Sequence, residues 1–323
     1  MRILNILLTG STGFVGRALL DQLNLNETVA VKAVVRRKTD DLPSGCTSVQ
    51  INGLLCDTNW SEALSSIDVV IHTAARVHLI NDISSDPLAE FREINTLATL
   101  NLARQAALAG VRRFIFISSI KVNGEGTPLN QPYTANDMPA PVDLYGVSKC
   151  EAEDGLRKLT LDTGMEVVII RPPLVYGPGV KANFLSMMHW LDMGVPLPLG
   201  AINNKRSLVA LDNLVDLIVT CIDHPAATNQ TFLVSDGEDL STTELLCHMS
   251  AALGKPARLL PMPAWMLKSG AALLGKRDIA QRLLGSLQVD ISKTREILNW
   301  KPPVSVDEAL KKTADDFLAR QKH

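Results

Sequence analysis

Apolar positions along the first half of the chain come in short, nearly continuous blocks separated by longer stretches with helical spacing. The blocks Ile3–Leu8, Val29–Val35, Val69–His72, Phe114–Ser118 and Val167–Arg171 predict strands buried on both faces. Between them Phe14–Leu23, Trp60–Ser65, Pro87–Ala109 and Leu144–Leu161 predict helices. Strands and helices that alternate in this way close, through right-handed crossovers, into a parallel α/β sheet covered on both faces.

After Tyr176 the pattern changes. Gly177-Pro178-Gly179 marks a loop, prolines recur and helical spacing dominates. The expected organisation is a Rossmann-like doubly wound domain over 1–176, rejoined by about 205–235 through the strand-like run Thr231–Val234. A smaller, mixed domain over 177–323, mainly 177–204 and 236–323, is expected to hold the substrate. Within it Pro261–Gly275 is apolar and contains Met and Trp. It reads as a core or lid helix, because it is too short to span a bilayer.

Composition narrows the class. With 323 residues, 46% apolar and 20% charged, the chain has ample material for a core and is not a disordered segment. A net charge of -2 gives no electrostatic reason to expect nucleic acid or a membrane as partner. The beginning of the chain carries no secretory signal pattern. The five cysteines are dispersed and form no C-x-x-C pair, so neither a metal site nor a disulfide framework is expected. Free thiols fit a cytoplasmic location.

The first predicted strand runs into Thr9-Gly10-Ser11-Thr12-Gly13-Phe14-Val15-Gly16. In this G-x-x-G-x-x-G turn Gly10 permits the tight bend, Gly13 admits a pyrophosphate to a helix N-terminus, and Gly16 lets the helix pack on the sheet. The end of the second strand reads Val35-Arg36-Arg37-Lys38, with no acid until Asp40. A guanidinium there suits a 2′-phosphate, so NADP(H) is favoured over NAD(H), through Arg36 or else Arg37. Asp57 is read either as a contact for the adenine amino group or as the N-cap of the Trp60 segment. His72-Thr73-Ala74-Ala75 ends another strand, and the small residues Ala74 and Ala75 let backbone approach a cofactor. His72 itself reads as a satisfied strand-end residue rather than a catalyst.

Tyr145 and Lys149 stand four residues apart at the start of a predicted helix and so share one face. An adjacent ammonium would lower the phenol pKa and make Tyr145 a general acid/base for an alcohol–ketone pair. Ser118-Ser119 at a strand end, 26 residues before Tyr145 in the case of Ser119, offers a hydroxyl for the same substrate oxygen.

These pieces, with F-I-S-S-I-K-V-N-G, Y-G-V-S-K, R-P-P-L-V-Y-G-P-G and D-I-S-K-T-R-E-I-L-N-W, resemble the extended short-chain dehydrogenases/reductases of the NAD-dependent epimerase/dehydratase family. The resemblance implies that Ser119, Tyr145 and Lys149 are catalytic. It implies cofactor contacts at Gly10, Thr12, Gly13, Phe14, Val15, Arg36, Asp57, Ala74, Ala75, Asn95 and Pro172, as well as Tyr145 and Lys149. Asn95 would orient the site from its helix; the alternative is an ordinary polar helix residue. Asn183, Arg206 and, less centrally, Arg282 would meet the diphosphate of a nucleotide sugar, with Ser119 and Lys121 also on the substrate. Ile120-Lys121 follow Ser119 where sugar dehydratases carry an Asp-Glu pair, which disfavours dehydration. The stretch around Ser119 is most similar to enzymes of O-antigen and capsule clusters. The favoured expectation is an NADPH-dependent 4-keto reductase acting on a UDP-4-keto-6-deoxy-N-acetylhexosamine. The alternative is a UDP-hexose or UDP-N-acetylhexosamine 4-epimerase with bound NAD, and a more distant one is a non-catalytic NADP sensor. The family also implies a homodimer through the helices over Pro87–Ala109 and Leu144–Leu161.

Overall fold

A computed structural model describes residues 3–37, 41–77, 86–273, 275 and 277–321, with side chains of 277–279 excepted. The first half builds β1 (Leu4–Thr9), α1 (Phe14–Leu23), β2 (Val29–Val35), β3 (Thr47–Gln50), α2 (Ser61–Leu64) and β4 (Val69–His72). It continues with α3 (Pro87–Phe91), α4 (Ala98–Leu108), β5 (Arg113–Ile117), α5 (Leu144–Thr163), β6 (Glu166–Arg171) and β7 (Leu174–Tyr176). The remainder contributes α6 (Ala182–Asp192), β8 (Arg206–Ala210), α7 (Leu211–Asp223), β9 (Thr231–Leu233), β10 (Asp239–Leu240) and α8 (Thr242–Ala252). Four helices follow: α9 (Ala264–Leu273), α10 (Arg277–Leu284), α11 (Ser292–Leu298) and α12 (Val306–Arg320).

Seven strands form one parallel sheet in the order β3-β2-β1-β4-β5-β6-β9. This is the doubly wound α/β arrangement that the alternating pattern predicts. Strand residues serve both faces. On β1, Ile6 and Leu8 enter one apolar core while Leu7 enters the other, as the two-residue period requires. The run at Thr231 pairs with β6, Ile169 opposite Thr231. A second apolar cluster gathers Tyr176, Phe184, Leu246, Leu310 and Phe317 beside the small sheet β10-β8-β7.

Three differences from the sequence pattern have physical causes. β3 escapes notice because Thr47-Ser48-Val49-Gln50 is a mostly exposed edge strand with one apolar residue. The single helix expected over Pro87–Ala109 is interrupted by a π-helical turn, Arg92–Leu97, that carries Asn95. The segment Pro261–Gly275 does not supply a core helix: α9 has no buried residue.

Connection order reverses between β1 and β4, so a crevice opens beyond their C-terminal ends. Gly10 follows β1, Thr73–Ala75 follow β4 and Ser118–Ser119 follow β5 at that same edge. Beneath it the Glu153 and Arg171 side chains, both almost fully buried, pair through two bonds of 2.9 and 2.6 Å. Ser118 donates to Glu153 at 2.6 Å, and Arg171 donates to Asn123 at 2.9 Å. One buried pair thus ties α5, β6, the end of β5 and the loop after it. Replacing Glu153 with Ala would strand a buried guanidinium, and we expect a loss of ~3–5 kcal/mol in chemical denaturation. Glu153→Gln, which keeps hydrogen bonding, should lose less.

Candidate active site

Gly10 has φ +74°, a conformation open to glycine. A Cβ there would come within 2.7 Å of the Ala74 nitrogen, and one at Gly16 within 2.1 Å of the Gly10 carbonyl oxygen. The two glycines therefore let β1, the β4 loop and α1 pack together at the crevice. α1 begins at Phe14 with Gly13 at its cap, no side chain capping it and no acid in its first turn. Its leading N–H groups and dipole are thus free of a competing side-chain acceptor, which suits a pyrophosphate. Thr12 is exposed, and Phe14 and Val15 are half-buried. The residues present fit a dinucleotide.

Arg36 and Arg37 lie exposed just beyond β2, beside that turn. Lys38 and Asp40 fall outside the described residues. Asp57 is exposed in a turn and does not cap the following helix: the cap position is Trp60, and it is Asn59 that accepts from the Ser61 N–H. His72 is fully buried, with Thr9 Oγ1 2.7 Å from Nδ1 and Thr99 Oγ1 2.9 Å from Nε2. Burial, then the Lys149 charge, pushes its imidazole pKa down to about 3, so it is neutral and structural.

Asn95 is buried on the π-helical turn. Its Oδ1 accepts from the Arg76 N–H at 2.8 Å, and its Nδ2 donates to the Arg76 carbonyl and to Ser148 Oγ. It locks the loop after Ala74 and Ala75 to α5, one residue from Lys149. A π turn inserts an extra residue into the helix and aims this amide inward. Pro172 is buried, and its carbonyl accepts from the Ile120 N–H at 3.0 Å, holding the strand end next to Ser119.

Asp143 caps α5 by accepting from the Gly146 N–H at 2.6 Å. This starts the helix so that Tyr145, Lys149 and Glu153, four apart, form one inward stripe. Ser119 caps the short 3-10 turn after β5. Lys149 is buried; its Nζ donates to the Ile117 carbonyl at 2.8 Å and lies 4.2 Å from the centre of the Phe116 ring. Burial lowers its pKa to about 7 although Glu153 opposes this. Tyr145 is half-buried, edge-on to Phe91 at 6.2 Å, and no hydrogen bond reaches its hydroxyl among the described residues. Its phenol lies above, not below, the ordinary value, raised first by burial and then by Asp143. The downward tuning of Tyr145 by Lys149 is not seen, and Lys149 Nζ is engaged by the Ile117 carbonyl and the Phe116 ring.

Lys121 pairs with Asp143 and, at 3.3 Å, with Glu125, so it is held at the start of α5 rather than standing free. On the small sheet, Arg206 is largely buried at the start of β8 and donates to the Gly285 carbonyl at 3.0 Å. Burial first, then the neighbouring Arg282 charge, depresses its pKa. Among the described residues neither arginine has a carboxylate partner, so two cations share one place with no internal anion. Asn183 is exposed on the first turn of α6, which no side chain caps. The sequence reading passed over Glu153, Arg171, Asn123 and Ser148; the signal was there in Glu153, the next residue of the Tyr145–Lys149 stripe.

A glycine-cradled helix start, with a serine and a Tyr–Lys stripe at the same sheet edge, defines an extended short-chain dehydrogenase/reductase type of enzyme. The description of the NAD dependent epimerase/dehydratase family matches residues 6–235. A Vibrio cholerae protein named UDP-glucose 4-epimerase is 53% identical over 318 residues, covering 97% of this chain and 95% of its own. An Escherichia coli O157:H7 protein named N-acetyl-alpha-D-glucosaminyl-diphospho-ditrans,octacis-undecaprenol 4-epimerase is 28% identical over 81% of this chain and 77% of its own. The crystal structure of UDP-glucuronic acid 4-epimerase from Bacillus cereus in complex with NAD superposes with a TM-score of 0.79 at 20% identity, covering 98% of this chain and 99% of that one. This chain belongs to the NAD-dependent epimerase/dehydratase family. The NADP(H) preference read from Arg36 gains no support from these likenesses, since the family and the solved neighbour are described with NAD.

Two substitutions test the site. Tyr145→Phe keeps the ring packing and removes the titrating proton; turnover should fall ~10²-fold or more with cofactor affinity retained. Lys149 must accept a charge in a buried place below about pH 7, whereas the unfolded lysine stays protonated to about 10.4. The unfolded state thus binds more protons between those values, and this residue makes folding stability rise with pH over that window. Lys149→Met should flatten the rise in denaturation series from pH 7 to pH 10.

Proposed function

We propose that the protein is a 4-epimerase of a UDP-hexose or UDP-N-acetylhexosamine that works with bound NAD. The observation that carries this reading is the 53% identity, over nearly the whole chain, to the Vibrio cholerae protein named UDP-glucose 4-epimerase. The site chemistry supports it. Arg206 and Arg282, without a carboxylate partner among the described residues, offer two cations to a diphosphate, and Asn183 offers an amide from the start of α6. Gly10, Gly13, Phe14 and Val15 hold the pyrophosphate of the cofactor, Ala74 and Ala75 line it, and Asn95 and Pro172 fix the loops around it.

A bound NAD would supply the acceptor and donor of the C4 hydride and a positive charge that favours phenolate beside it. Tyr145 Oη takes the C4 hydroxyl proton as the ketone forms and gives it back when the alcohol is restored on the other face. Ser119 Oγ bonds the same oxygen and fixes it against Tyr145. Lys149 would bond the nicotinamide ribose and support the phenolate. Lys121, held by Asp143 and Glu125, borders the sugar rather than binding it as a free cation.

The reading extends to organisation. The sheet of residues 1–176 with 205–235 serves as the cofactor domain, and 177–204 with 236–323 as the substrate domain. A homodimer through α4 and α5, a cytoplasmic setting and a role in surface polysaccharide synthesis complete the proposal. A second reading, NADPH-dependent 4-keto reduction, is favoured by one feature: Arg36 and Arg37 stand where an acid would meet a ribose hydroxyl.

The purified enzyme should carry tightly held NAD and interconvert UDP-glucose with UDP-galactose, or their N-acetyl forms, without added cofactor. A cofactor-free protein that consumes NADPH with a UDP-4-keto sugar would replace this reading with the reductase. In either case Arg206→Ala should raise KM for the nucleotide sugar at least tenfold, the scale of one lost charge-assisted contact, with cofactor affinity unchanged.

A further inference from the structure

Helix α9, Ala264-Trp265-Met266-Leu267-Lys268-Ser269-Gly270-Ala271-Ala272-Leu273, is largely apolar, yet none of its residues is buried. Ala264, Leu267 and Ala271 rest on the second apolar core, and their spacing of three and four marks the inward face. Helix geometry then turns Trp265, Ser269 and Leu273 outward, with Met266 at the flank. Trp265 is 69% exposed and Leu273 89%. Leu260, just before the helix, is exposed as well. The turn that follows α6 adjoins this strip: Leu197 donates to the Arg258 carbonyl at 2.9 Å, and Leu260 donates back to the Leu197 carbonyl at 2.8 Å. The end of α6 and that turn add the exposed Trp190 and Met193.

Charge distinguishes this strip from the rest of the chain. Residues 255–273 contain three basic side chains, Lys255, Arg258 and Lys268, and no acidic one, in a protein whose net charge is -2. Lys268 projects from α9 itself and is exposed. Lys255 is partly offset by Asp192, 3.3 Å away on α6. An apolar helix face with Trp on one side and basic residues around it has the chemistry of an element that lies in the headgroup layer of a bilayer. At about 1.5 Å per residue, ten residues make about 15 Å, half of what a membrane crossing needs. No helix among the described residues is long and apolar enough to cross a membrane. The helix would therefore lie flat. A second copy fits poorly, because it would oppose basic segment to basic segment. An anionic leaflet supplies both the negative potential and the apolar layer.

We propose that α9, with Lys268 and the basic segment that precedes it, docks the protein peripherally on an anionic lipid surface, with Trp265 and Leu273 entering the headgroup–acyl boundary. This goes beyond the epimerase reading and does not depend on which sugar is turned over. The surface places the enzyme where a membrane-bound transferase could take up its product. Delivery of a nucleotide sugar to a lipid carrier is the class of reaction that would consume it there.

The full-length protein would be sedimented with vesicles of phosphatidylcholine alone and of phosphatidylcholine with phosphatidylglycerol. Binding is expected only to the anionic vesicles and should weaken as salt is raised. The double variant Trp265→Ser, Leu273→Ser should bind at least about tenfold less, with an unchanged thermal midpoint and unchanged turnover of soluble substrate. Absence of binding to anionic vesicles, or equal binding by the variant, overturns the proposal. So does a change in oligomeric state on substitution, which would show that a second copy covers the strip. Should the protein prove to turn over no UDP-sugar, the vesicle result stands by itself, since it reads binding alone.

Discussion

The site hangs on one buried ion pair. Glu153 and Arg171 lie almost wholly out of water, and each has its remaining polar atoms committed to Ser118, Arg157 or Asn123. Desolvating two charges is costly, and the cost is offset only while every partner stays in place. The pair consequently fixes the relative position of α5, which carries Tyr145 and Lys149, and the end of β5, which leads into Ser119. A neutral core of similar volume could hold these elements together, but it would not specify their register along one another to the same degree, because apolar contacts have no direction. The strand-end turn between Ser118 and Gly124 gains its shape from the same source.

Two regions of the fold differ in their electrostatics. At the sheet edge, the N–H groups at the start of α1 have no side-chain cap and no acid in the first turn, which suits an anion. Elsewhere, Arg206 and Arg282 crowd like charges, which is unfavourable without an anion and so favours one when it arrives. Lys149 and Tyr145 show the opposite restraint. Burial lowers the Lys149 pKa to about 7 and raises that of the Tyr145 phenol, so both shifts favour the neutral forms.

The epimerase and reductase readings differ little in the residues that perform them. Both need a serine, a tyrosine and a lysine against a nicotinamide, and both need a cationic place for a diphosphate. What separates them is how tightly the dinucleotide is held and whether the keto sugar has room to turn, and these depend on the walls of the cleft more than on its chemistry. Arg36 and Arg37 lie at the rim, exposed, where a contact with the ribose substituent is screened by water. That exposure makes them a weaker guide to cofactor choice than the run Val35-Arg36-Arg37 implies when it is read as sequence.

Periodicity determined much of this protein by itself. Near-continuous Val/Ile/Leu blocks fix buried parallel strands, since no other element hides both faces of so short a run, and the G-x-x-G-x-x-G turn and the four-residue Tyr–Lys spacing place their residues through local geometry alone. Tertiary structure decided the rest. The edge strand β3 and the small sheet β10-β8-β7 are too short or too polar to show a period, and form only because a neighbour offers hydrogen bonds. The π turn at Asn95 arises from an amide that must reach both Arg76 and Ser148, partners 19 and 53 residues away. The direction of the Tyr145 and Lys149 pKa shifts depends on burial and on Asp143, Ile117 and Phe116, none of which the Tyr–Lys spacing contains. Whether an apolar segment such as α9 is covered likewise follows from how the whole chain packs, because a hydrophobic pattern states which face avoids water but not what is there to meet it.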